Sequence, residues 1–263
     1  MDFKNKTVWI TGASSGIGEE LALQLSHKDC KLILSSRNRE TLEVVKSKCQ
    51  NPDLVAVLPL DLVNYKDMQA KVKEALRLFD GIDILINNGG ISQRSLIFDT
   101  SIEVDKKLME IDYLGTIALS KALLPHFVDR QSGYFVTVTS VMGKFSSPYR
   151  SAYCGAKHAL HGFFDALRME HEKDGIKVSL ICPGFVNTNI ARSALTGDGS
   201  PLGKQDRATH KGLSTNVFCK RMIKAMERQT FEAYIGRKEV LGVYLKRFFP
   251  KLLHRFVMKS AVR

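Results

Sequence analysis

The stretch Thr7-Val-Trp-Ile-Thr-Gly-Ala-Ser-Ser-Gly-Ile-Gly-Glu-Glu-Leu-Ala-Leu-Gln-Leu25 reads as a strand, a turn and a helix. Thr7–Ile10 is a short apolar run suited to a buried strand, and Ile17–His27 carries apolar residues at helical spacing. Gly12, Gly16 and Gly18 lie at the junction, with Ser14, Ser15 and Ile17 between them. Glycine there permits a tight turn, close approach of backbone to a diphosphate, and close helix–strand packing. Free N–H groups at the helix start attract phosphate. A glycine trio alone is a modest signal. Its place between the first strand and first helix of a β-α-β unit makes Gly12, Gly16 and Gly18 candidate cofactor-binding residues.

The alternation continues outward from this unit. Lys31–Ser35, Leu54–Leu58, Ile82–Ile86, 134–139, Ile176–Ile181 and Phe231–Ile235 read as strands. Helical patterns cover Glu40–Cys49, Tyr65–Phe79, Val104–Arg130, about 152–173 and about 216–228. The strands are continuous runs of Val, Ile and Leu, as expected where both faces of a parallel sheet are buried. Strict alternation of this kind predicts an α/β fold, a doubly wound seven-stranded parallel sheet with helices on both faces. No repeat or low-complexity linker divides the chain, so residues 1–240 are expected to form a single domain.

At 263 residues, with 44% hydrophobic and 25% charged side chains, the chain is an ordinary globular one. Its net charge of +12 is not ordinary and admits nucleic acid, anionic membranes or phosphate-bearing ligands as partners. No nucleic-acid-binding module or basic–aromatic array accompanies the charge, so no nucleic acid is expected. The five cysteines form no CxxC pair, and the helical histidines show no metal-ligand spacing, so no metal is expected. Met-Asp-Phe-Lys-Asn-Lys leads straight into a strand pattern, and no run of about 18 apolar residues could span a bilayer. A cytoplasmic protein with reduced thiols is expected.

The strand 134–139 ends at Ser140, and Tyr153 and Lys157 open the helical pattern that follows. Four residues is about one helical turn, so both side chains share a face. A tyrosine hydroxyl ordinarily releases its proton near pH 10, and a neighbouring ammonium brings such a group into range for proton exchange. Ser140 can donate a hydrogen bond to a substrate carbonyl oxygen.

With Asn87-Asn-Gly-Gly90 after the fourth strand, the ordered set TGxxxGxG, Ser140 and YxxxK resembles the short-chain dehydrogenase/reductase family over about residues 5–190. The resemblance implies a Rossmann-type fold and reversible hydride transfer between a nicotinamide cofactor and a carbonyl or alcohol. It implies that Ser140 and Tyr153 hold the substrate oxygen while Tyr153 exchanges the proton. Lys157 also holds the nicotinamide ribose. Asp61 and Leu62 are implied to contact adenine, Asn88 to line the adenosine side, and Pro183, Val186 and Thr188 to wrap the nicotinamide amide. The stretches 113–116, 123–126 and 157–164 are similar to a branch of membrane-associated dehydrogenase/reductases acting on retinoid- or steroid-like carbonyls.

Two positions refine this. The second strand ends in Ser36-Arg37, with no acid to accept from the 2′-hydroxyl of NAD and a guanidinium suited to a 2′-phosphate. NADP(H) is therefore expected over NAD(H). The family usually places an asparagine in a proton relay where this chain has Asp112. Two readings follow. The relay persists with a shifted pH optimum, or the chain is a catalytically impaired NADP-binding homologue with a binding or regulatory role.

The segment 187–215 lacks a clear period and follows the last strand of the ligand crevice, so it is expected to be a substrate lid. Residues 241–263 repeat apolar positions at helical spacing among basic ones, with no acid after Glu239 and Pro250 dividing two helices. This tail can dock on a membrane surface, cap a pocket for a lipophilic substrate, or pack on a partner subunit. A homodimer or homotetramer is expected from the resemblance.

Overall fold

In a computed structural model, which describes residues 1–259, seven parallel strands form one sheet in the order β3-β2-β1-β4-β5-β6-β7. The strands are β1 Thr7–Thr11, β2 Lys31–Ser35, β3 Val55–Val57, β4 Ile84–Asn87, β5 Gly133–Val138, β6 Ile176–Pro183 and β7 Glu232–Ile235. The expected doubly wound α/β sheet is present. Successive side chains of a strand point to opposite faces. Val8 and Ile10 of β1 thus join one apolar layer, while Trp9 joins the other. The first layer packs under α1 (Gly16–Leu25), α2 (Arg39–Lys48) and α8 (Thr215–Glu227). The second packs under α3 (Met68–Leu76), α5 (Thr116–Asp129) and α6 (Ser151–Glu170). The polar exception is satisfied, since the Trp9 indole donates to Ser35 Oγ and that hydroxyl donates to the Leu58 carbonyl.

Strand order reverses at β1, which lies between β2 and β4. In such sheets the crevice outside the carboxyl ends of the strands receives the ligand. Thr11, Asn87, Ser140 and Pro183 all lie at or just beyond those ends.

Three readings gain detail. The pattern over Val104–Arg130 is one helical run, α4 (Ile102–Leu108) and α5, joined by a π-helical stretch Met109–Gly115. The third helix begins with a 3₁₀ turn at Tyr65–Asp67 and ends at Leu76. The segment 187–215 is irregular, holding only the short α7 (Arg207–His210), but it is firmly tied. Leu195 exchanges backbone hydrogen bonds with Ser92 and Arg94, Ser101 donates to Gly197, and Asn187 donates to Leu213. After β7 the tail forms α9 (Leu241–Phe248) and α10 (Pro250–Lys259), divided at Pro250 as expected. The tail positions 260–263 lie outside the described residues. Among the described residues, no helix is long and apolar enough to cross a membrane.

Candidate active site

The glycine turn is built for close approach. Gly12 has a φ of +64°, and a Cβ there would come within 2.8 Å of Gly89 Cα. Any larger residue would therefore push the β4 loop off the cradle. Thr11 Oγ1 accepts the backbone N–H groups of Asn88 and Gly89 at 3.0 Å each. The Asn88 amide donates back to the carbonyls of Thr11 and Gly12. Asn88 thus braces the turn while lining the cavity. Ser15 caps α1 without a side-chain hydrogen bond, so the first-turn N–H groups are left for a ligand. Ser14 completes the turn.

Gly18 fills the helix–strand packing part of the role expected of the glycine set. It is buried in the first turn of α1. A Cβ on Gly18 would run into the Gly12 carbonyl and come within 2.7 Å of the Asn88 amide nitrogen. The physical reason lies in the helix turn. Gly16 and Ile17 stay partly exposed, whereas Gly18 is rotated inward against the strand end and the turn itself. Its lack of a side chain lets α1 seat closely on the cradle, so it shapes the site from behind.

Arg37 follows β2 on the surface and makes no hydrogen bond or ion pair among the described residues, and Ser36 beside it is uncharged. Asp61 accepts the Val63 N–H, and Leu62 is buried against Gly89 and Gly115. Pro183, Val186 and Thr188 line the cavity with Ile17 and Asn88, and Thr188 packs against Gly16. The groups a dinucleotide needs are therefore collected along one wall: a cradle with no room for a Cβ, free helix N–H groups, and a cavity floor.

Ser140 caps a 3₁₀ turn (Val141–Gly143), and its Oγ accepts the Met142 N–H at 3.0 Å. Tyr153 and Lys157 project from the first turns of α6, with Lys157 Nζ 5.7 Å from the Tyr153 ring centre. Lys157 is buried and donates to the Val138 carbonyl at 3.4 Å. Its ion pair is with Asp112, Nζ to Oδ2 at 3.2 Å. Asp112 is 0% exposed, and Oδ1 accepts the Ile91 N–H at 2.7 Å. It sits within the π-helical stretch, and such wide turns commonly serve functional sites.

Burial pushes the Asp112 carboxyl above the usual carboxylate range, against the pull of Lys157 and the Ile91 N–H. Burial also acts to lower Lys157, but the charges of Asp112 and Tyr153 outweigh it and hold the ammonium up. At 3.2 Å from the ammonium, the acid is favoured as a carboxylate. The ammonium decides, because Asp112 offers it a hydrogen-bonded anion with a second donor already in place.

One cavity of about 690 Å³ joins these parts. It runs from Ile17 and Asn88 past Ser140, Tyr153 and Lys157 to Leu241, Gly242, Leu245, Leu253, Phe256 and Val257 of α9 and α10. Of the three roles open to the tail, the pocket wall is the one its inner face fills.

Sequence reasoning missed three groupings, each assembled from positions far apart in the chain. Arg94, Arg150 and Asp206 meet in the cavity wall, with Arg94 Nη2 2.9 Å and Arg150 Nη2 3.8 Å from Asp206 Oδ2. Glu239 accepts the Phe185 and Arg237 N–H groups and so ties the loop after β6 to the start of the tail. His161, Cys182 and Glu232 place their donor atoms within 4.8 Å of one another. There Lys144 Nζ lies 2.7 Å from Glu232 Oε1 and already balances the carboxylate. Burial holds His161 down to about 4 and pushes Cys182 up to about 12, so neither is primed as an ion. No spacing signal could have joined residues on α6, β6 and β7.

The fold, the glycine cradle and the Ser–Tyr–Lys set together define a short-chain dehydrogenase/reductase. The profile of the short chain dehydrogenase family matches residues 6–198, and the chain belongs to that family, an oxidoreductase class that works with a nicotinamide cofactor. It is 44% identical over 257 residues to human "Dehydrogenase/reductase SDR family member 7", covering 95% of this chain and 76% of that protein. It is 39% identical to the Drosophila melanogaster "Dehydrogenase/reductase SDR family protein 7-like", covering 98% and 81% of the two chains. Among solved structures, a short-chain dehydrogenase/reductase from Burkholderia phymatum in complex with NAD superposes with a TM-score of 0.83 at 22% identity, covering 96% of both chains. A Burkholderia cenocepacia short-chain dehydrogenase in complex with NADP gives 0.81 at 19%, covering 99% and 100%.

Proposed function

We propose that this chain transfers hydride reversibly between NADP(H) and the carbonyl or alcohol carbon of a lipophilic, retinoid- or steroid-like compound, with Tyr153 as general acid and base. The observation that carries this reading is the continuous cavity from the glycine cradle, past the Tyr153–Lys157 pair, to an apolar wall of tail side chains. When bound, the nicotinamide supplies or accepts the hydride. Ser140 Oγ is held by the Met142 N–H and keeps its own proton for the substrate oxygen. Tyr153 gives that oxygen its proton in reduction and removes it in oxidation. Charge developing on the oxygen is thus met by two placed hydroxyl donors in a site shielded from water. Lys157 would hold the ribose hydroxyls, with its charge kept by Asp112.

The NADP(H) preference rests on Arg37 and on the lack of an acid at Ser36. Wild-type enzyme is expected to show higher kcat/KM with NADPH than with NADH, and Arg37→Ala to erase the difference. Equal or better kcat/KM with NADH in the wild type would overturn the preference.

The Asp112–Lys157 ion pair supports a second reading, a cofactor-binding homologue whose lysine is engaged by the acid and whose role is binding or regulation. Any steady turnover of a carbonyl substrate excludes it. The enzyme is further proposed to act as a homodimer or homotetramer in the cytoplasm, peripheral on a membrane through α9 and α10.

A further inference from the structure

The cavity wall carries one positive charge more than its own residues balance. Arg94 and Arg150 face a single carboxylate, Asp206, and the three side chains are 9%, 4% and 5% exposed. Asp206 is committed to Arg94, whose Nε and Nη2 donate to Oδ2 at 3.3 and 2.9 Å. Its Oδ1 accepts the Thr209 N–H at 2.7 Å. Arg94 is also complete, because Nη1 donates to Ser92 Oγ and to the Gln93 carbonyl. Arg150 is not complete. Nη1 donates to Ser147 Oγ at 3.1 Å, but Nη2 is buried with no hydrogen-bond partner among the described residues, the Asp206 carboxylate standing 3.8 Å away. Burial, and after it the charge of Arg94, lowers Arg150 only to about 10, so it stays a cation at neutral pH.

The other charges around the cavity do not cancel it. Lys157 and Asp112 neutralise each other, and the lining charges Lys238 and Glu239 offset one another, with Glu239 Oε1 turned to the Phe185 and Arg237 N–H groups. Asp206 thus answers two buried guanidinium groups with one charge, and a buried cation that only shares its anion is costly, so that proteins supply another from a side chain or from a ligand. Arg150 lines the cavity at the residue preceding α6, three positions before Tyr153 on the same chain.

We propose that Arg150 forms an anion subsite of this pocket, so that the preferred substrate is a lipophilic carbonyl or alcohol compound carrying a carboxylate. The carboxylate accepts from the unpartnered guanidinium nitrogen while the reacting oxygen meets Ser140 and Tyr153. Two fixed polar points in a mostly apolar cavity set which way a long ligand enters. This deepens the proposed function and rests on it for the reacting end alone.

The test uses 4-benzoylbenzoic acid and its methyl ester, matched in shape and differing in charge. Binding of each to the full chain, with and without NADP, is measured by calorimetry on wild type, Arg150→Gln and Arg150→Lys. The wild type is expected to bind the acid more tightly than the ester. That acid-to-ester ratio should fall about tenfold to a hundredfold in Arg150→Gln, as for loss of a charged hydrogen bond, and recover in part in Arg150→Lys. Damage to the fold lowers both affinities and cancels in the ratio. No preference for the acid in the wild type, or a ratio unchanged in Arg150→Gln, overturns the subsite. Turnover of either compound with NADPH is read separately and reports on the oxidoreductase function instead.

Discussion

Asp112 stands where the family resemblance leads us to expect an asparagine, and its surroundings define the consequence. A fully buried carboxyl faces a buried ammonium at 3.2 Å, with the Ile91 N–H on the other oxygen. Asp112 contributes to holding Lys157 above the ordinary lysine range, so the lysine keeps its proton to higher pH. In Asp112→Asn that support is lost. An alkaline limb governed by the ammonium should then move to lower pH, while NADPH binding at neutral pH is retained. Superimposable pH–rate profiles would show that Asp112 has no electrostatic part. The position of this residue could be read by counting along the helix. Its complete burial and its pairing to Lys157 could not, because they depend on how a π turn rotates the helix against α6. Gly18 teaches the same lesson on a smaller scale. Its spacing marked the cradle and close helix–strand packing was expected of the set, and the rotation of α1 shows that Gly18 is the glycine on which that packing falls.

Among the elements, the strands were the most legible, since each is a continuous apolar run and a parallel sheet buries both faces. β2 matches its expected bounds, whereas β4 starts two residues later, because Asp83 turns its carboxylate to the Thr7 N–H. The segment 187–215 was legible only as an absence of period. What secures it is the Arg94–Asp206 contact across 112 residues of chain, and no local pattern encodes that. Asp206→Asn leaves two buried guanidinium groups without a carboxylate and should destabilise the fold by about 3–5 kcal/mol. A lower urea midpoint with an unchanged slope would register this. Burial acts to raise the Asp206 carboxyl, but the Thr209 and Arg94 donors outweigh it and hold it below the ordinary range. Its contribution is therefore full above the unfolded value of about 3.9 and fades as pH falls through the depressed one. The stability gap between wild type and variant should be flat near neutrality and close in acid. A gap that is negligible at pH 7 contradicts the latch.

At the scale of the whole molecule, the tail joins pocket and surface. Leu245, Leu253 and Val257 face the cavity, while Tyr244, Phe248, Phe249, Leu252 and Met258 are exposed among Lys246, Arg247, Lys251, Arg255 and Lys259. An apolar face rimmed with cations suits the interface of an anionic bilayer. The full chain should sediment with phosphatidylserine vesicles at low salt and less so at high salt, and truncation after Val240 should abolish it. Equal sedimentation of the truncated chain would exclude the tail as the anchor. The amphipathic period of this segment was plain in the sequence. That its inner face closes the pocket was not, since nothing local says which surface a helix will cover. The central claim is that a tyrosine in this cavity moves the proton during nicotinamide-dependent oxidoreduction. It is tested most directly by following NADPH oxidation with a panel of lipophilic aldehydes and ketones, in wild type and Tyr153→Phe. Turnover by the wild type, about a hundredfold to ten-thousandfold lost in the variant with NADPH binding retained, is the expected result. Equal rates in the two proteins, or no oxidation of NADPH by the wild type with any member of the panel, would contradict it.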